Sequence, residues 1–171
     1  MARLHDALRF VGRFSQTLSR LCLWVSGFGL CAMTLVILWQ VIGRYVFGDA
    51  PSWSEQLSLY LLLWSVLLAS AAGVREGFHI RITAGQDRLP SDARKPLLLL
   101  IDALVLCLGV ALLVLGADLV RRLWPNTIPT LGLPRGSAFI PMAVSGALIA
   151  LFAAEKMAGR FVGRNVEASW P

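Results

Sequence analysis

Four stretches too long and too apolar for a water-soluble core constrain this chain more than any other feature. Between Arg20 and Arg44 lie 23 uncharged residues, between Glu55 and Arg75 there are 19, and between Arg135 and Glu155 another 19. A fourth stretch, Pro96 to Ala117, is interrupted only by Asp102. An α-helix rises about 1.5 Å per residue, so roughly 20 residues cross a hydrocarbon core of about 30 Å. The runs predict an all-α membrane protein with four transmembrane helices, at about residues 21–43, 54–74, 96–117 and 137–157. They leave nothing over for a folded soluble domain, so residues 1–171 read as one membrane domain. Charge content agrees: 15% of residues are charged here, against about 25% in soluble globular chains.

The basic residues set an orientation. Of 16 Lys and Arg, four precede the first run, five lie between the second and third, and three follow the fourth. Only Arg44, Arg121, Arg122 and Arg135 fall on the other side. Positive charge stays on the cytoplasmic side, which predicts that both termini are cytoplasmic. The net charge of +6 is accounted for by residues flanking spans, and no nucleic-acid partner is expected from it. The first run is longer than the apolar part of a signal peptide and no A-x-A site follows, so it is expected to be a retained span. Ahead of it, Leu4, Leu8, Val11 and Ser15 share one face and the arginines lie elsewhere. Two readings fit: an amphipathic helix on the cytoplasmic membrane surface, or a basic tail that only sets topology. The three cysteines read as small apolar residues; Cys22 and Cys31 are about 13 Å apart along one helix, beyond disulfide reach.

Chemistry-bearing residues concentrate between Gln40 and Ile82. Gly48-Asp49-Ala50-Pro51 makes a tight outer connection, and Ser52-Trp53-Ser54-Glu55 fits a capping box with Ser52 as N-cap. Arg44 and Glu55 flank that hairpin. They could pair, fixing it and offering a docking point; or Arg44 snorkels to headgroups while Glu55 only caps. Trp39, Tyr45 and Trp53 fall at one end of two antiparallel spans, as an interfacial aromatic belt does. Tyr60 and Trp64 sit deeper, one turn apart, where their polar hydrogens favour a protein-facing position. Ser58, Ser65, Ala69 and Ala72 form a small-residue stripe on the second span; Ala143, Ala147, Ala150, Ala154 and Ala158 form another on the fourth. Such stripes let helix backbones approach in a membrane. Asp102 is the single acid that interrupts one of the four apolar runs. Either Arg94 or Lys95, from the preceding turns, pairs with it, or it serves a proton or ion relay. The Pro- and Gly-rich stretch 124–136 is expected to be an irregular loop anchored by Trp124.

No catalytic centre emerges. His5 and His79 lie outside the spans, and haem ligation in a bundle needs histidines within it. There is no Cys-x-x-Cys, no His-Glu-x-x-His, no phosphate loop and no nucleophile motif. No cofactor or metal is expected, and no enzymatic activity.

The pattern Gln40-Val41-x-x-Arg44-Tyr45-x-x-x-x-x-Pro51-x-Trp53-x-Glu55 continues through Tyr60, Trp64, the small cluster Ala69 to Gly73, and Arg75-x-Gly77-x-His79-Ile80. It resembles the DctQ family, the small membrane subunits of tripartite ATP-independent periplasmic (TRAP) transporters. The resemblance covers nearly the whole chain, and Gly132-Leu133-Pro134 through Pro141 also fits. It implies a complex in the bacterial inner membrane, driven by an ion gradient, usually sodium. In such a complex an extracytoplasmic binding protein captures an organic acid, such as a dicarboxylate or sugar acid. A large multi-span subunit moves it by an elevator motion, and the small subunit buttresses the stationary scaffold. Arg44, Trp53, Glu55, Tyr60, Trp64, Arg75, His79 and Asp102 are then candidate interface or structural residues, and membrane lipid is the remaining partner. At Gln56 the family often has a second acid, so no role needing two carboxylates is implied there. A self-sufficient homodimeric four-helix exporter would want an acid near the middle of its first span, and residues 21–43 contain none. A membrane anchor of an enzyme complex would want haem or quinone ligands, which are not found.

Overall fold

The computed structural model describes residues 2–49, 51–77 and 91–161, the side chains of 2–11, 13, 91–95 and 161 excepted. Its elements are α1 (Ala2–Val46), α2 (Ser52–Glu76), α3 (Ser91–Leu123), a 3-10 helix (Arg135–Phe139) and α4 (Ile140–Phe161). Four helical segments are long and apolar enough to cross a membrane: Phe14–Val46, Ser52–Glu76, Pro96–Leu123 and Arg135–Arg160. The all-α, four-span architecture is therefore the one the sequence implies. The helices overrun the uncharged stretches because a charged residue at a span end does not break a helix; its long stem reaches toward the headgroups while the backbone stays helical. Arg44 lies in the last turn of α1, Arg75 in that of α2, and Arg121 and Arg122 in that of α3. The surface-helix and tail readings of residues 1–20 rest on side chains mostly outside those described. The backbone of residues 2–20 continues into the rest of α1 without a break.

The start of α2 differs from the capping box that Ser52-x-x-Glu55 suggests. Pro51 occupies the N-cap, with φ −59° and ψ 121°, and no side chain caps the helix. Ser52 is therefore the first helical residue, not the N-cap, and Glu55 is exposed. Ser54 instead donates its hydroxyl back to the Pro51 carbonyl at 2.6 Å. At the other end Gly77, at φ 78°, turns the chain left-handed and its N–H reaches the Gly73 carbonyl, which ends α2.

The helices stand side by side in the order α1, α2, α4, α3. α1 packs along α2, α2 against α4, and α4 along α3, whereas α1 and α3 share no packed interface. Between α2 and α4 the contact is Ala71, Val74, Ile149 and Phe152, with Phe152 and Ala71 wholly buried. Between α1 and α2 it is Cys22, Leu68 and Ala72, with Trp64 packed on them. The α3–α4 pair is closer still. A Cβ on Gly109 would stand 2.6 Å from the Ala150 backbone nitrogen, one on Gly116 2.7 Å from that of Ala143, and one on Gly146 2.8 Å from the Gly109 carbonyl. This seam corrects the alanine stripe read along the fourth span. Ala143 and Ala150 belong to it, but Gly146 stands between them, and Ala147 and Ala154 are exposed.

The connection from α3 to α4 is ordered. Ile128 N–H bonds the Leu133 carbonyl at 2.8 Å, Arg135 N–H bonds the Asn126 carbonyl at 2.6 Å, and Ile128 is buried. Gly132 takes a positive φ of 66° to close the turn.

Candidate functional site: a buried ionic seam at one end of the helices

The first half of α1, the last turn of α2, the first half of α3 and the last turns of α4 come together at one end of the row. The helices there carry Arg75, Lys156 and Arg160 against Glu76, Asp102 and Glu155, three charges of each sign. A balanced set suits such a place, because a charge removed from water needs a partner close by.

The contacts follow the order of the helices. Ser19 on α1 donates its hydroxyl to Glu76 Oε1 at 2.8 Å. Arg75 on α2 returns across the same interface, its Nη2 donating to the Gly12 carbonyl at 3.2 Å. Arg75 Nη1 also lies 3.6 Å from Glu76 Oε1, and both side chains are almost fully buried. From α4, Lys156 Nζ donates to the Val74 carbonyl near the end of α2. A Cβ on Gly12 would be 3.4 Å from Glu155 Oε1, which places that carboxylate over α1. One turn beyond Lys156, Arg160 reaches α3: its Nε lies 2.5 Å from Asp102 Oδ2 and its Nη2 3.5 Å from Oδ1. Polar contacts thus tie α1 to α2, α2 to α4 and α4 to α3. The local sequence permits this because Ala71, Ala72 and Gly73 are small enough to be fully enclosed just before Arg75, so neighbouring helices close on α2 there.

Several sequence expectations meet this seam. Arg75 and Asp102 both belong to it. Asp102 is paired with Arg160 from α4, while the side chains of Arg94 and Lys95, the partners expected on its own helix, lie outside those described. The α3–α4 seam is close enough for a residue on the neighbouring helix to reach it. Glu76, Lys156, Arg160 and Ser19 were passed over. The cations had been read only as topology signals, and nothing in one sequence says which helix stands beside which.

The hairpin residues make a different picture. Arg44 and Glu55 are exposed, and among the described residues no ion pair joins them. Trp39, Tyr45 and Trp53 are exposed near the same end. Tyr60 and Trp64 make a tilted ring contact with centroids 6.2 Å apart, and Trp64 packs into the α1–α2 contact. Its Nε1 is buried without a hydrogen-bond partner among the described residues. His79 lies outside the described residues. Among the described residues, the hairpin end carries one ion pair, Arg122 with Asp118, within a single helix and exposed.

The seam makes a prediction. Replacing Ser19 by Ala removes a donor from the buried Glu76 carboxylate and is expected to cost about 1–2 kcal/mol of stability. Ser52→Ala, at an exposed position without a cap bond, should cost almost nothing. Unfolding of the two variants in detergent checks the difference.

Comparison with known proteins adds an independent line. The family described as "Tripartite ATP-independent periplasmic transporters, DctQ component" matches residues 33–163. A sialic acid TRAP transporter small permease protein, SiaQ, of Vibrio cholerae is 29% identical over 128 residues, covering 75% of this chain and 74% of its own length. A putative TRAP transporter small permease protein of Haemophilus influenzae is 26% identical over 136 residues, covering 79% and 81%. The isethionate TRAP transporter permease protein DctMQ of Oleidesulfovibrio alaskensis is 26% identical over 140 residues; that match takes in 77% of this chain but 22% of the larger protein.

Proposed function

Since the chain belongs to the DctQ component family of TRAP transporters, we propose that this non-enzymatic, multi-pass small subunit serves as a rigid scaffold for a large permease subunit. The observation that carries this reading is the ionic seam. Four of its six charged side chains reach a neighbouring helix, Glu76 through Ser19, Arg75 through the Gly12 carbonyl, Lys156 through the Val74 carbonyl and Arg160 through Asp102, which braces the row. The large permease subunit, working with an extracytoplasmic solute-binding protein, moves the solute. This chain holds the stationary part of that machine in the bacterial inner membrane, with both termini cytoplasmic. Two relatives are named for sialic acid and isethionate, both acidic solutes, which supports an organic acid as cargo.

The test is reconstitution. With the large subunit and the binding protein, the chain is expected to support uptake of the organic acid into vesicles under a sodium gradient. Alone it should support none, and it should co-purify with the large subunit. Uptake by this chain alone would overturn the scaffold reading.

A further inference from the structure

Three side chains of the ionic seam gather around Gly12 of α1. Arg75 from α2 donates its Nη2 to the Gly12 carbonyl at 3.2 Å. From α4, Glu155 brings Oε1 to 3.4 Å from where a Cβ on Gly12 would stand. Ser15 follows three residues on, along the same helix face, and is wholly buried. Each keeps an unmet polar atom. Arg75 Nε and Nη1, Glu155 Oε2 and the Ser15 hydroxyl are buried with no hydrogen-bond partner among the described residues. The nearby Glu76 Oε1, 3.6 Å from Arg75 Nη1, is too far for a hydrogen bond. Arg75 is only 4% exposed, so bulk water does not reach its guanidinium.

Leaving buried charged groups unmet is costly, and folded interiors give them a partner, either protein or ordered water. The protein's own donors nearby are committed. Ser19 serves Glu76, Lys156 serves the Val74 carbonyl and Arg160 serves Asp102. Nor does an ion pair join Arg75 to Glu155 among the described residues. A ligand here must accept from the guanidinium and donate to the carboxylate at once. A cation fails at Arg75 and an anion fails at Glu155. A water molecule does both, and can bond the Ser15 hydroxyl as well. One water joins groups about 4.5–5.5 Å apart, each of its hydrogen bonds being about 2.8 Å long. Buried waters typically make about three hydrogen bonds, and three helices offer one each.

We propose that an ordered water is bound between Ser15, Arg75 and Glu155, where it joins α1, α2 and α4. It accepts from Arg75, donates to Glu155 Oε2 and bonds the Ser15 hydroxyl. The direct contacts of the seam join helices two at a time, whereas this one ties three together. It also holds the part of α1 that runs from Ser19 back toward the N-terminus. The site is a property of the chain itself and does not depend on the scaffold reading.

An experimental structure of the chain in a lipid bilayer, at a resolution that shows ordered water elsewhere in the protein, tests it. A peak within about 2.6–3.2 Å of both Glu155 Oε2 and Arg75 Nε or Nη1 is expected. No peak, a direct Arg75–Glu155 ion pair, or a side chain from residues 78–90 in that place overturns the proposal. Amide hydrogen exchange gives a second reading. Glu155→Gln keeps an acceptor for the water, so exchange at residues 12–16 should stay close to that of the parent. Glu155→Leu removes the acceptor, and exchange there should rise about tenfold, equivalent to about 1.4 kcal/mol of local stability. Equal exchange in the two variants counts against the water as firmly as a missing peak. Should Glu155→Leu fail to fold, the structure of the parent decides the matter.

Discussion

Arg160→Ala is expected to destabilise the chain by about 3–5 kcal/mol, because it strands a buried carboxylate. The Asp102 side chain is 1% exposed, whereas that of Arg160 is 28% exposed, so the two partners are not equivalent. Without Arg160, the Asp102 carboxylate stays inside, facing a desolvation cost with its ion-pair partner gone. Removing the acid is gentler. In Asp102→Asn the arginine, near the end of α4, can swing toward water and headgroups, so the cost should be nearer about 1 kcal/mol. The double variant should recover most of what Arg160→Ala loses. Reversible unfolding in detergent, read as a double-mutant cycle, measures all three. Equal costs for the two single variants, or additivity in the double, would show that the pair is not the buried contact described.

Gly146→Leu should be about as damaging, through shape alone. The position faces the Gly109 carbonyl and the backbone of Leu112 and Leu113, so any side chain meets main chain that cannot move aside. Overpacking usually costs about 1–3 kcal/mol, and here the clash is with backbone on a neighbouring helix, so about 3 kcal/mol or more is expected. Ala147→Leu, one residue away and exposed, is the control and should be neutral. Thermal unfolding followed by monodispersity separates them. A Gly146→Leu protein as stable as the parent would mean that α3 and α4 are not in backbone contact.

How much of this was legible depends on the kind of signal. Apolar length along one segment is local, so the four spans could be read directly, and so could the small faces of Ser58, Ser65 and Ala72. Helix ends were harder, because Arg44, Arg75 and Glu76 sit inside the last turns of helices that their charge seemed to close. Pairings were hardest. The seam between Gly109, Gly116 and Gly146 involves residues that are unremarkable one at a time, and the alanines nearby offered a more regular but misleading stripe. For the same reason Arg160 looked like a topology signal until α4 was seen beside α3. Tyr60 and Trp64 were read as facing protein. Trp64 does pack inward, although its indole nitrogen gains no partner among the described residues.

The neighbour order of the helices has a bearing on biogenesis. Each of the two most extensive interfaces joins helices that follow one another along the chain, so each can zip up soon after leaving the insertion machinery. Only the later meeting of the two hairpins, α2 on α4, asks distant parts of the polypeptide to find each other. Val74 and Lys156 act across that last join, which makes a polar bond the latch on the final step of assembly.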